Sequence, residues 1–194
     1  MARTGRVRER ILRKSREVLE ARGAEELSLR EVARAIDVST AAPYKHFPEG
    51  RSQVLDEVVA EGFRELDRSM EEATLNARRE GTSARDGVGL AYLSFARSQP
   101  RLFELMFSLP AKIANPDLTA ARDRAFERLA DAIRIDQASG LCEAGDVAVI
   151  SLDSWVRAHG LATLLNADQI RSRLPPDLDI EGLIGAVFRT PPAR

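Results

Sequence analysis

Cysteine and long apolar runs are scarce in this chain of 194 residues. Its single cysteine, Cys142, has no second cysteine with which to form an internal disulfide, which is typical of proteins in a reducing cytosol. No apolar run approaches the ~20 residues that a membrane span needs, and no apolar segment follows the basic N-terminus as in a secretory signal. We therefore expect a cytoplasmic protein that does not contact a membrane.

The residue patterns of common catalytic and metal sites are also missing. The two histidines, His46 and His159, fall in different predicted domains, and neither has a second histidine or cysteine at metal-binding spacing. The sequence has no glycine-rich phosphate loop and no G-x-S-x-G motif around a nucleophilic serine. It therefore predicts a protein that is not an enzyme and that uses no metal and no cofactor.

Positive charge is concentrated at the N-terminus, although the formal net charge of the chain is −1. Seven of the first 16 residues are Lys or Arg, and only Glu9 is acidic. A basic end on a mildly acidic body indicates contact with a polyanion, and a solvated arm is the alternative.

Helical periodicity runs through nearly the whole chain, and no segment shows the alternation of a β-strand. Outside one short region, apolar residues spaced three and four apart predict helices at 6–22, 52–77, 86–98, 101–108, 116–138, 143–166 and 179–189. Polar residues 78–86 are expected to form a linker. The predicted fold class is all-α.

Residues 27–47, LSLREVARAIDVSTAAPYKHF, have the pattern of a helix-turn-helix. Ser28 and Glu31 form a capping box at the start of the first short helix. Ala33 is small where the two helices must approach, and Phe47 is expected to close the core. In such a motif the second helix lies in the major groove of DNA.

Pro43 falls inside that second helix, where an interior proline costs about 3 kcal/mol. If Thr40 is the N-cap, Pro43 becomes the third helical residue, whose N–H would have no partner within the helix. We therefore predict that the helix begins directly after Thr40.

Residues 6–63 resemble the tetracycline-repressor (TetR) family of transcriptional regulators. The resemblance rests on the amphipathic first helix, LSLREVA, the VS turn, YKHF and the long helix that follows. It implies an all-α homodimer with an N-terminal three-helix DNA-binding domain and a C-terminal helical domain. We expect a helix-turn-helix domain at 1–51 and a ligand-binding and dimerisation domain at 52–194, linked by helix 52–77.

Two positions depart from the family pattern. Asp37 occupies a turn position that is commonly glycine because the backbone there tends to need a positive φ, which Asp tolerates. The loop from Pro48 to Arg51 is one residue longer than usual, and we assign the phosphate contact at the following helix start to Arg51.

The resemblance places the DNA contacts on and around the second short helix. Tyr44 matches a tyrosine that contacts the DNA backbone, and Lys45 fits a phosphate, a guanine edge or plain solvent exposure. His46 either touches phosphate or packs at the helix end. Ser28 is expected to cap its helix, and it could also contact the DNA backbone. The expected DNA-binding residues are Ser28, Ser39, Thr40, Ala41, Ala42, Tyr44, Lys45, His46 and Arg51.

The C-terminal half carries a second, shorter resemblance. Trp155-Val-Arg-Ala-His159-Gly160 is similar to the Trp…His-Gly signature of one subgroup, and Trp155 and His159 share a helix face. We expect a ligand cavity lined by Tyr92, Phe95, Phe103, Met106, Phe107, Trp155 and His159. The alternative is an ordinary aromatic core in which His159 has a hydrogen-bond partner.

Members of this family also dimerise through their last two long helices, here 143–166 and 179–189. Gly160 would allow close helix approach. Expected contributors, which fit an intrachain core equally well, are Leu161, Leu164, Leu165, Leu183, Ile184 and Val187.

The resemblance implies a ligand-responsive transcriptional regulator, which in this family is most often a repressor. A homodimer would bind a pseudo-palindromic operator in double-stranded DNA, and a small, largely apolar effector would release it. The alternative is a ligand-free DNA-binding protein whose C-terminal domain only dimerises or recruits a partner.

Overall fold

The computed structural model describes residues 2–108, 115–167 and Gly182, and all regular structure within these residues is helical. The all-α prediction is therefore confirmed. A 3-10 turn covers Ala24–Glu26. The α-helices are Ala2–Arg22 (α1), Leu29–Ala35 (α2), Ala42–His46 (α3), Arg51–Glu80 (α4), Ala84–Ser98 (α5), Pro100–Ser108 (α6), Pro116–Ala138 (α7) and Val147–Asn166 (α8).

The predicted helix at 179–189 lies outside the described residues apart from Gly182. The same is true of three predicted dimer residues, Leu183, Ile184 and Val187.

The chain divides into two compact units. The first contains Met1–Phe63 and Gln99–Arg122, and the second contains Arg64–Ser98 and Asp123–Arg194. The first unit thus includes α6 as well as the helix-turn-helix. The predicted domain division at residues 51 and 52 stays a prediction.

The core of the first unit consists of the apolar faces that the helical spacing predicts. Burying each such side chain contributes roughly 1.5–3 kcal/mol. Many of its fully buried members come from α1, α2, the residue after α3, and α4, among them Ile11, Leu19, Val32, Ala33, Phe47, Val54, Val58 and Phe63.

The turn after α2 reverses the chain within three residues. The Asp37 N–H donates to the Arg34 carbonyl at 3.2 Å, and the Val38 N–H donates to the Ala33 carbonyl at 3.0 Å. This pair of bonds is a Schellman motif, which needs a left-handed residue in the position of Asp37. Asp37 has φ 56°, so the predicted positive φ is confirmed.

α3 begins one residue later than predicted. Its first helical residue is Ala42, the cap position is Ala41, and the Thr40 boundary was therefore wrong. The Ala42 N–H donates to the Ser39 carbonyl at 2.9 Å, which closes a turn before the helix starts. Pro43 is then the second helical residue, a position whose N–H has no acceptor within the helix, so the proline removes no hydrogen bond.

Boundaries of the longer helices also differ from the prediction. α4 continues to Glu80, so the linker predicted at 78–86 shrinks to residues 81–83. α8 begins at Val147 instead of residue 143, because the Asp146 carboxylate accepts the Ala148 N–H at 2.7 Å and caps the helix there.

A buried carboxylate organises the second unit. Asp136 of α7 is fully buried and accepts hydrogen bonds from the Ser83 hydroxyl at 2.7 Å, the Ala84 N–H at 2.8 Å and the Arg85 N–H at 3.0 Å. α5 is thus capped by a side chain from another helix, and the positive end of its dipole faces the carboxylate. This contact anchors the start of α5, which packs against α8.

Substitutions at Asp37 test the left-handed turn. Because a β-branched residue is strained at positive φ, we expect Asp37→Val to lower the free energy of unfolding by about 1–2 kcal/mol. We expect Asp37→Gly to leave it unchanged or raise it by up to ~1 kcal/mol. Urea denaturation measures both, and a Val variant as stable as the parent would contradict this reading of the turn.

Candidate nucleic-acid interface and aromatic cluster

α3 is divided into a buried side and an exposed side. Pro43 and the following Phe47 are buried in the first unit, whereas Tyr44 and Lys45 are exposed. Thr40 and Ala41 precede the helix as exposed residues, and Ala42 and His46 are half-buried. The five-residue helix therefore presents small side chains at its start and an aromatic and a basic side chain on its outer face.

Tyr44 lies against the turn that follows α3. A β-carbon added to Gly50 would stand 3.7 Å from Tyr44 Cε1, and Gly50 has φ 70°. Even so, Tyr44 is 47% exposed. The turn therefore supports one side of the ring while much of the side chain stays accessible to a ligand.

Two of the predicted phosphate-binding residues already have partners within the chain. The Arg51 guanidinium donates to the Ala24 carbonyl at 2.6 Å and stands 4.0 Å from the Glu25 carboxylate. The Ser28 hydroxyl caps α2 by accepting the Glu31 N–H at 3.4 Å. The capping role predicted for Ser28 is confirmed, and Ser39 is exposed.

The second unit contains an aromatic cluster with polar atoms inside it. Tyr92 Oη and His159 Nδ1 are 2.8 Å apart, and the Trp155 and His159 ring centres are 5.5 Å apart. Phe126 meets Trp155 edge-on, with ring centres 5.1 Å apart. The structure thus brings together Tyr92, Trp155 and His159 of the predicted ligand set and supplies the hydrogen-bond partner expected for His159.

Burial favours the neutral form of both titratable groups in this cluster. Desolvation raises the pKa of the Tyr92 hydroxyl well above its ordinary value. Desolvation also lowers the pKa of His159, which favours the neutral imidazole. A neutral Tyr–His pair offers hydrogen-bonding groups in apolar surroundings without a net charge.

Three other predicted ligand residues lie in the first unit. Phe103 and Phe107 of α6 have ring centres 4.9 Å apart, and Phe107 meets Phe63 edge-on at 5.7 Å. A β-carbon on Gly62 would stand only 2.8 Å from Met106 Sδ, so glycine permits this close approach. Phe95 is buried on α5 in the second unit. That all seven residues line one cavity stays a prediction.

An apolar stripe on α8 was missed by the sequence analysis. Val149, Leu152 and Val156 repeat at spacings of three and four and are 65%, 59% and 57% exposed. Of the predicted dimer residues, Leu161 is instead buried within the chain, and Leu164 is exposed. The helical spacing of the stripe was the signal that could have found it.

The close helix approach expected at Gly160 stays a prediction. Apart from its chain neighbours and the nearby backbone of α8, no described atom lies within 4 Å of a β-carbon placed there, so the position is open. Cys142 is half-exposed, and its thiol lies 3.5 Å from the Arg85 guanidinium.

Metal and membrane sites are not found in the part of the chain that the structure describes. Across residues 2–108 and 115–167, no three His, Cys, Asp or Glu side chains are grouped so that they could hold a metal ion. No helix within the described ranges has the length and apolar character that a membrane crossing requires.

The lowered pKa of His159 predicts a pH dependence of stability. The unfolded chain binds a proton near pH 6.5 and the folded chain only at lower pH, so stability falls as the pH drops below 6.5. We expect His159→Asn to weaken this dependence between pH 7.5 and 5, measured as the urea midpoint. Equal slopes in the two proteins would show that His159 is not buried in its neutral form.

Family models match both halves of the chain. The model for bacterial regulatory proteins of the tetR family matches residues 11–58, which contain the helix-turn-helix. The model for the tetracyclin repressor-like C-terminal domain matches residues 86–184, about half of the chain. No curated protein sequence matches the chain significantly.

Solved structures share the fold over almost the whole length. A protein of unknown function from Rhodococcus sp. RHA1 is 29% identical, with a TM-score of 0.78 over 92% of this chain and 90% of the other. The TetR family regulator PfmR from Thermus thermophilus is 23% identical, with a TM-score of 0.59 over 91% and 93%. AibR, solved with isovaleryl coenzyme A and operator DNA, is 15% identical, with a TM-score of 0.62 over 93% and 97%. The chain, matched by family models in both halves, belongs to the TetR family and is a DNA-binding regulator of transcription.

Proposed function

We propose that this regulator is a cytoplasmic homodimer that represses transcription from a pseudo-palindromic operator and leaves it when a small, largely apolar molecule binds. The observation that carries the proposal is the exposed outer face of α3, with Tyr44 and Lys45 beside small residues at the helix start. The proposal requires neither catalysis nor a cofactor.

The face of α3 fits the major groove in size and charge. Ala41 and Ala42 let the start of the helix approach base edges, and an alanine methyl can contact the C5-methyl group of thymine. Lys45 supplies a cation to phosphate or guanine, and Tyr44 supplies a hydroxyl to phosphate. The proposed contacts also include Ser28, Ser39, Thr40, His46 and Arg51.

The α8 stripe supports the homodimer. Three apolar side chains, each more than half exposed, form one face of a helix, and such a patch is typical of an interaction surface. A two-fold axis lets the same face of a second copy cover it. Two copies would place their two α3 helices, the reading helices, in major grooves that are one helical turn apart, or about 10 base pairs.

The aromatic cluster supports the effector site. Tyr92 and His159 are both held in their neutral forms, which favours a neutral or apolar ligand over an ion. The structure of AibR, which has a similar fold, contains isovaleryl coenzyme A as well as operator DNA. An effector need only have a higher affinity for the conformation that does not bind DNA. DNA then weakens effector binding by the same factor by which the effector weakens DNA binding.

A second candidate function is a regulator without an effector. The 2.8 Å contact between Tyr92 and His159 satisfies both groups within the chain, as in an ordinary core. Displacement distinguishes the two functions, because a compound that releases bound operator requires an effector site. We therefore propose to select operator sequences from random DNA and to screen neutral aromatic and aliphatic compounds for release.

Lys45→Ala tests the reading helix. Losing one phosphate or base contact is expected to weaken binding to the selected operator about tenfold. If Lys45 contacts phosphate, the slope of log affinity against log salt also falls by about one. Arg124→Ala removes an exposed cation of the second unit as a control. Unchanged operator affinity in Lys45→Ala would contradict the assignment.

Leu152→Arg tests the dimer interface. A charge in the centre of the α8 stripe cannot be buried without a partner, so we expect the variant to sediment as a monomer in analytical ultracentrifugation. Leu75→Arg places the same charge at an exposed leucine of α4 and should leave the dimer intact. A dimeric Leu152→Arg protein would exclude this face as the interface.

A further inference from the structure

The cations of the basic N-terminal helix α1 largely contact groups of the chain itself. Several of its cations, which the sequence analysis assigned to a polyanion or to solvent, have partners within the first unit. Arg8 pairs with the Glu57 carboxylate, Arg10 with the Ile36 carbonyl, Lys14 with the Glu17 carboxylate, and Arg16 with the Gln99 side-chain oxygen.

Arg8 connects three helices of the first unit. Its guanidinium pairs with Glu57 of α4, and its central carbon lies 5.3 Å from the centre of the Phe47 ring. Phe47 is fully buried and directly follows α3. Glu57 is itself mostly buried and also accepts from the Gln53 amide at 3.4 Å. A cation over an aromatic face and an ion pair thus act together at the end of the reading helix.

Arg10 acts in the same way at the end of α2. Its guanidinium donates to the carbonyl of Ile36, the C-cap residue of that helix. The Schellman motif uses the carbonyls of Ala33 and Arg34, and the Ile36 carbonyl immediately precedes the left-handed Asp37. The arginine therefore holds the peptide from which the turn starts, and its charge also suits the negative end of a helix dipole.

We propose that Arg8 and Arg10 are positioning residues for DNA reading: Arg8 holds the end of α3 and Arg10 holds the turn after α2, instead of contacting phosphate. A helix as short as α3 is not stable alone in water, so its direction depends on contacts at its ends. The inference rests on the proposed function, because it concerns how operator binding is achieved.

The decisive comparison uses variants of both partners in the ion pair between Arg8 and Glu57. Arg8→Met and Arg10→Met keep a long side chain without its charge, and Glu57→Gln removes the partner's charge. Glu17→Gln is the matched control, because it removes one exposed negative charge of the same unit without touching the pair. Affinities for the selected operator and for random DNA are measured over a range of salt concentrations, below each variant's thermal unfolding transition.

The proposal predicts that Arg8→Met, Arg10→Met and Glu57→Gln each weaken operator binding about fivefold or more. Binding to random DNA and the salt slope should stay as in the parent, whereas loss of a phosphate contact lowers that slope by about one. Weaker operator binding by Glu57→Gln distinguishes the proposal most clearly from a simple charge effect. Removing a negative charge near DNA would by itself strengthen operator binding. Glu17→Gln should bind as tightly as the parent or tighter.

Three results would overturn the proposal. They are a salt slope lowered by about one in either arginine variant, tighter operator binding by Glu57→Gln, and parent-like operator affinity in both arginine variants. If Arg8→Met proves too unstable to assay, Arg10→Met and Glu57→Gln still test the proposal. Failure of the proposed function is separate, because the parent protein itself would then select no sequence.

Discussion

The three-residue turn between α2 and α3 is the constraint on which the DNA-binding unit depends. Asp37 takes a left-handed conformation that only a few residue types tolerate, and this lets the chain reverse directly after α2. The five residues of α3 cannot hold their own direction, so the turn, buried Pro43 and buried Phe47 set it. The outer face with Tyr44 and Lys45 follows from that arrangement.

Buried polar groups play the equivalent part in the second unit. Asp136 places the start of α5 by capping it, and Tyr92 on the same helix bonds to His159 of α8. Buried hydrogen-bonding groups therefore order the second unit, and the proposed effector would act at the pair of Tyr92 and His159.

Local patterns predicted much of this structure, whereas contacts between distant residues were hidden from them. The cap at Ser28 and the shared face of Trp155 and His159 each depend on residues within one or two helical turns, whereas the positive φ of Asp37 was expected from the family resemblance. The partners of Arg8 and Asp136 lie about fifty residues away in sequence, which periodicity cannot reveal. The helix start after Thr40 was wrong by one residue because a hydrogen-bonded turn, closed by Ala42 and Ser39, competes with helix there.

The central claim is that two copies of α3 occupy neighbouring major grooves of one operator. Methylation interference at guanine N7, an atom that faces the major groove, tests it most directly. The account predicts two clusters of interfering guanines about 10 base pairs apart on the same face of the duplex, related by two-fold symmetry. Interference confined to one cluster, or none at guanine N7 of a guanine-containing operator, would contradict it.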